Sequence, residues 1–153
     1  DALEALRAQV GHAPIVAVGT TALRTMESIY WHGVALLNGR ASQQLAVEQW
    51  EPYEPRDKAL PTAAEALDAV IDQVRALPDR RLTGRTELLI APGYQVRMAD
   101  ALVTNFHQPQ STLLLLVAAF IGEDWRRVYQ HALDRDYRFL SYGDSSLLWR
   151  SGL

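Results

Sequence analysis

The 153-residue sequence contains no cysteine, which excludes disulfides, cysteine-ligated zinc, iron–sulfur clusters and thiol nucleophiles. Lysine is almost missing too: of fifteen basic residues, all are Arg except Lys58. A phosphate-cradling loop lysine is therefore absent, and a Schiff base could form only at Lys58, in a proline-rich stretch. Long hydrophobic runs are also lacking. The longest, Leu113–Ile121, is nine residues, against about 20 for a membrane-spanning helix. Without a signal peptide or lipidation motif, a cytoplasmic location is expected, with no membrane partner. The four histidines are scattered and form no H-E-x-x-H pattern, so no metal site is expected.

Positive charge is not in excess either. The net charge is −3, so any nucleic-acid surface must be a local patch. Arg does supply the better side chain for such a patch, through bidentate phosphate contacts and stacking on bases. An apolar fraction of 48% and this length fit a single domain with a real core, residues 1–153. The chain opens at Asp1, already inside a helical pattern (Leu3, Leu6, Val10), and reads as a piece of something longer.

The order of patterns is that of an α/β protein with a mixed or parallel sheet flanked by helices. Asp1–Val10 predicts a helix closed by Gly11, and Pro14–Val18 a short buried strand. Thr20 or Thr21 is expected to cap a helix bearing Leu23, Met26, Ile29 and Tyr30 on one stripe, with Gly33 past its end. A strand is expected near Leu45–Trp50. Residues 38–61 and 78–85 read as exposed loop segments. Thr62 with Glu65 forms a capping box ahead of a helix over Ala63–Leu77. Strands are predicted at Glu87–Ile90 and Ala101–Thr104. Ser111 or Thr112 heads an apolar helix to Ile121, and Glu123–Leu133 is another, with Trp125, Val128, Tyr129 and Leu133 inside. Arg138–Tyr142 is expected as a closing strand before the Gly143-Asp144 turn.

Four constellations carry candidate chemistry, and each has a plainer reading. Thr20, Arg24 and Glu27 fall on one helical stripe opposite the apolar one, at a helix N-terminus suited to an anionic or carboxylate ligand. The alternative is a capped helix with an Arg24–Glu27 surface pair. Asn105 and His107, two apart, share a face in extended chain, and Ser111 at the next helix start can converge with them. His107 suits proton transfer near neutral pH, and Asn105 can orient a carbonyl, ribose hydroxyl or base edge; the alternative is a structural histidine. Gly93 permits close backbone approach and Tyr94 offers a stacking ring, or the pair is simply a strand-ending turn. Tyr142, Gly143 and Asp144 repeat that logic, with Asp144 as a base, a ribose anchor or a turn former.

Taken together, VGTTALRTMES (18–28), APGYQVRMADALVTNFHQPQSTLLLLVAAF (91–120) and YRFLSYGDSS (137–146) resemble the C-terminal part of the S-adenosylmethionine:tRNA ribosyltransferase-isomerase family of queuosine biosynthesis. The T-N-F-H-x-P-x-S-T-L-L block is the most specific of the three. The resemblance implies a large α/β domain, a smaller inserted β-barrel and no metal or prosthetic group. It also implies an enzyme that moves the ribosyl unit of S-adenosylmethionine onto 7-aminomethyl-7-deazaguanine at the wobble position of tRNA. Adenine and methionine leave, and the rearranged sugar gives epoxyqueuosine. On that footing His107 is expected to carry one proton transfer, with Asn105 orienting ribose or base and Asp144 holding a ribose hydroxyl. Thr20, Thr21, Arg24 and Glu27 would surround the methionine end or the ribose, Tyr94 would stack on a base, and Gly93, Ser111, Thr112 and Tyr142 would complete the pocket. The chain departs from the family at Ala91 and Ser145-Ser146, where many relatives have an aromatic and Ala-Met. It also carries a longer Trp31–Thr86 stretch, and lacks the motifs of the family's N-terminal half. The competing reading is a noncatalytic nucleotide- or RNA-binding module of the same fold.

Overall fold

The computed structural model describes residues 2–40, 42–55 and 59–152; Lys58 lies outside them. A three-stranded mixed sheet organises the fold. Its central strand is β4 (Ala101–Asn105), parallel to β1 (Val16–Val18) on one side and antiparallel to β5 (Ser145–Trp149) on the other. The register sets Val18 beside Val103 and Asn105 beside Ser145. Because side chains alternate across a strand, Ala17, Leu102, Thr104 and Leu148 share one face, and all four are buried. Helices α2 (Thr20–Leu37) and α4 (Thr112–Ile121) pack against the sheet.

A second unit is built from β2 (Leu45–Val47), α3 (Ala63–Ala76) and β3 (Gly84–Thr86), with β2 and β3 paired in parallel around the crossover helix. Thr62 and Glu65 form the expected capping box at the start of α3. Gly84 is required where it stands: a Cβ there would lie 2.0 Å from the Leu45 carbonyl oxygen. The short helix α1 (Ala2–Gln9) lies on α3, tied by an Arg7–Asp68 pair. Helix α5 (Asp124–Asp134) follows α4 and buries Tyr129 and Ala132.

Several boundaries differ from the sequence reading, each for a local reason. Neither Thr20 nor Thr21 caps α2; Gly19 does, at φ 94°, with no side-chain hydrogen bond. The chain leaves β1 through a left-handed conformation that favours glycine, and the helix begins at the next residue. Gly33 does not end α2 but sits inside it. A Cβ there would come 2.3 Å from the Ala66 carbonyl oxygen, so this glycine lets α2 approach the α3 backbone closely. The Glu87–Ile90 stretch is buried at Leu88 and Ile90, but the paired strand lies earlier, at Gly84–Thr86. Arg138–Tyr142 is a turn rather than a strand: Leu140 has φ 71° and the Gly143 N–H donates to its carbonyl at 2.8 Å. The closing strand comes after it. Leu133 is 60% exposed rather than inside. Residues 38–61 are not uniformly exposed. Val47 and Glu51 are buried, Glu51 pairs with Arg40, and the Tyr53 hydroxyl donates to Leu89 O and accepts from Ala91 N, both at 2.9 Å.

Candidate functional site

Parallel strands β1 and β4 end on the same side of the sheet, and helices α2 and α4 begin there. Gly19 follows β1 and keeps the ladder one step further, its N–H donating to Val103 O at 2.8 Å. β5 enters from the same side at Ser145, opposite Asn105. The topology thus gathers Thr20–Thr21, Asn105–Thr112 and Gly143–Ser145 at one sheet end. Ligands of open α/β sheets bind outside the carboxyl ends of the strands.

Asn105 ties two of these segments together: its side-chain amide donates to Gly143 O at 3.4 Å and to Ser145 Oγ at 3.3 Å. His107 does not share its face. β4 ends at Asn105, and the His107 ring turns back so that Nε2 lies 3.0 Å from Thr104 Oγ1, on the opposite side of the strand. The His107 backbone N–H donates to the Tyr129 hydroxyl at 3.1 Å. Phe106 between them is buried among Tyr129, Tyr137 and Phe139. Partial burial lowers the His107 pKa below its ordinary value, so the imidazole is neutral at neutral pH. Its Nδ1 makes no hydrogen bond among the described residues. A neutral ring held at one nitrogen and free at the other can take or pass a proton.

Ser111 caps α4, its Oγ accepting from the Leu114 N–H at 3.2 Å and donating to Gln108 O at 2.9 Å. Thr112 is the first helical residue and lines a cavity of about 200 Å³ together with Arg24, Gln49, Glu87, Ile90 and Leu116. Among the described residues the buried Arg24 guanidinium Nε has no hydrogen-bond partner. Arg24 from α2 and Thr112 from α4 thus line the same cavity.

Glu27 and Tyr94 are brought together elsewhere, inside the protein. Glu27 is fully buried rather than on an exposed stripe, because both sides of α2 are covered by other segments. Its carboxyl accepts from the Tyr94 hydroxyl at 2.6 Å, from the Met98 N–H at 2.7 Å and from the Arg97 N–H at 3.0 Å. The Tyr94 hydroxyl in turn accepts from Trp31 Nε1 at 2.8 Å. Burial raises the Glu27 pKa against the opposing effect of those hydrogen bonds, and burial with the adjacent carboxylate raises that of Tyr94. With Tyr94 only 7% exposed, its ring is not a free stacking surface. The pair instead fastens the 93–98 loop to α2. Gly93, at φ 99° and exposed, turns the chain into that loop. Sequence reasoning could have found this from Trp31, whose indole needs a partner when buried.

Asp144 closes the 138–144 turn. Its carboxylate accepts from the Arg138 N–H at 2.8 Å and pairs with the Arg138 guanidinium at 3.3 Å. Those bonds hold its pKa below the ordinary value, which suits a turn former better than a base. Gly143 fits only as glycine, since a Cβ would lie 2.3 Å from Arg138 O. Tyr142, 97% exposed, projects from this turn. A larger cavity of about 520 Å³ lies away from the sheet end, lined by Thr62, Gln95, Arg97, Arg150 and Ser151 among others. Among the described residues no group of three or more His, Asp or Glu could hold a metal ion, and no helix is long and apolar enough to cross a membrane.

Residues 1–148 match the model of a family described as queuosine biosynthesis protein. Curated relatives named S-adenosylmethionine:tRNA ribosyltransferase-isomerase include one from Cereibacter sphaeroides, 37% identical over 98% of this chain and 45% of its own. Others come from Ruegeria pomeroyi, 38% identical over 87% of this chain and 38% of its own, and Phenylobacterium zucineum, 40% identical over 99% and 30%. The crystal structure of S-adenosylmethionine tRNA ribosyltransferase from Thermotoga maritima superposes with a TM-score of 0.59 at 33% identity, over 95% of this chain and 37% of that one. The chain thus spans less than half the length of these proteins.

Proposed function

Because the chain belongs to the queuosine biosynthesis protein family, we propose that it forms part of an S-adenosylmethionine-dependent tRNA ribosyltransferase-isomerase. In that reading the ribosyl unit of S-adenosylmethionine is transferred to 7-aminomethyl-7-deazaguanine in tRNA and isomerised to epoxyqueuosine. Adenine and methionine are released, and the reaction belongs to the cytoplasm. S-adenosylmethionine is a substrate, and the chemistry calls for no prosthetic group. The observation that carries the reading is the convergence of the 18–21, 104–112 and 143–145 segments at the carboxyl ends of β1 and β4.

His107 serves one proton transfer, either from the C5′ position acidified by the sulfonium, to departing adenine, or from the attacking amine. Its lowered pKa favours the base role. Asn105 orients ribose or base from the opposite side of the strand end. The N-terminus of α2 with Thr20 and Thr21 receives the carboxylate of the methionine end, with Arg24 and Thr112 lining the small cavity beside it. Ser111, Gly143 and Asp144 keep the rim in shape, and Glu27 and Tyr94 hold the loop behind it. Tyr142, free at the turn, is placed to meet the tRNA.

The test is adenine release from S-adenosylmethionine in the presence of tRNA, using this chain joined to the remaining length of a relative. Adenine release that depends on His107 supports the reading. A protein that binds tRNA but releases no adenine supports the noncatalytic RNA-binding module instead.

A further inference from the structure

Thr104 opens the T-N-F-H block and is the residue of it that touches the His107 ring. It is one of the few buried polar side chains, 6% exposed, on the inner face of the central strand. Its place is firmly set. The register puts Thr104 opposite Ser146, whose hydroxyl donates to the Thr104 carbonyl at 3.1 Å. The backbone of the histidine is set as well. Phe106 is buried, with its carbonyl accepting from the Leu140 N–H at 2.9 Å, and the His107 N–H donates to the Tyr129 hydroxyl at 3.1 Å. The ring itself has one polar contact among the described residues: Nε2 lies 3.0 Å from Thr104 Oγ1.

That contact decides which nitrogen can meet a substrate. Nε2 faces a buried hydroxyl, so Nδ1 is the nitrogen left over. In a neutral imidazole one nitrogen carries the proton and the other accepts, and the bond made by one sets the role of the other. A ring that accepts a proton at Nδ1 must already carry its own on Nε2. Nε2–H then donates to Thr104 Oγ1, which a hydroxyl receives through a lone pair. We propose that Thr104 is the positioning residue of His107, holding the ring as its Nε2–H tautomer and directing proton transfer through Nδ1. In the base step the substrate proton passes to the Nδ1 lone pair, and the electrons of its former bond stay on the substrate. The ring becomes an imidazolium, Nε2 keeps its proton, and its bond to Thr104 strengthens because the donor is now charged. A base oriented by a third group is the usual arrangement of such sites. The tautomer is deduced from His107 acting as a base, so the proposal rests on the function proposed above.

The first measurement needs no substitution at Thr104. Nitrogen NMR of the imidazole rings is recorded on this chain at a pH where His107 is neutral, and its signals are identified by their loss in His107→Gln. Protonated Nε2 with bare Nδ1 is the expected result; protonated Nδ1 overturns the proposal. The second measurement uses the joined protein. Thr104→Val keeps the branched shape and removes the hydroxyl, so kcat for adenine release should fall about 10-fold or more as the ring loses its orientation. KM for S-adenosylmethionine should change by less than about 2-fold, since substrate binding is not touched. Thr104→Ser keeps the hydroxyl and should recover most of kcat. A Thr104→Val enzyme within about 2-fold of the parent in kcat overturns the proposal, as does a Thr104→Ser enzyme equally slow. Should Thr104→Val not fold, the tautomer of the parent decides. The tautomer is read without S-adenosylmethionine or tRNA, so it stands apart from a failure of the function itself, which would show as adenine release that ignores His107→Ala.

Discussion

Replacing Glu27 by Ala removes the acceptor for three buried donors: the Tyr94 hydroxyl and the backbone N–H groups of Arg97 and Met98. A buried donor left without a partner costs about 1–3 kcal/mol. The three together amount to at least ~3 kcal/mol, before any cost of the cavity, against a whole-domain stability of about 5–15 kcal/mol. Urea unfolding followed by tryptophan fluorescence should therefore show Glu27→Ala destabilised by at least ~3 kcal/mol. Glu27→Gln keeps one acceptor and should lose less. It also separates charge from hydrogen bonding. Burial raises the folded pKa of Glu27 above its ordinary value, so the folded state binds this proton more tightly than the unfolded chain. Its contribution to stability is full below the ordinary carboxylate range and is lost as pH rises through the raised pKa. Glu27→Gln should accordingly flatten the decline of stability with rising pH. An Ala variant that loses under ~1 kcal/mol would refute the reasoning, because single satisfied hydrogen bonds are worth that much and three stranded donors cannot be.

Three further outcomes follow from the same geometry. His107→Ala, in the joined protein, should lower adenine release by about 10²–10⁴-fold while leaving the unfolding midpoint nearly unchanged; with the intact histidine, activity should persist at pH values below the ordinary histidine range, since its pKa is lowered. Gly33→Ala should cost about 1–3 kcal/mol or more in thermal or urea unfolding, because its Cβ would meet backbone rather than a flexible side chain. Asp144→Asn should remove stability that is present above the ordinary aspartate pKa and lost as pH falls through the lowered folded value. Acid titration of unfolding would show it as a weaker acid-side decline than in the parent.

Much of the architecture could be read in advance where a pattern had one physical meaning. The capping box at Thr62–Glu65, the Ser111 cap and the apolar strand before Asn105 all specify their elements locally. The misreadings arose where tertiary contact decided the outcome. Gly33 looks like a helix stop until Ala66 is seen against it. Glu27 looks like a surface partner of Arg24 until the 93–98 loop covers it. The Arg138–Tyr142 stretch alternates like a strand, yet the Arg138–Asp144 contacts bend it into a turn and pass the strand to Ser145–Trp149. At the site, the sequence placed Asn105, His107 and Ser111 near one corner but put Asn105 and His107 on one face. The end of β4 at Asn105 separates them.

The central claim is that substrate binds at the carboxyl ends of β1 and β4. A crystal structure of the joined protein with an S-adenosylmethionine analogue tests it most directly. The account predicts the analogue between the starts of α2 and α4, with a polar atom within hydrogen-bond distance of Asn105, His107 or the Thr20–Thr21 backbone. An analogue seated instead in the polar cavity lined by Thr62, Gln95, Arg97 and Arg150 would contradict it.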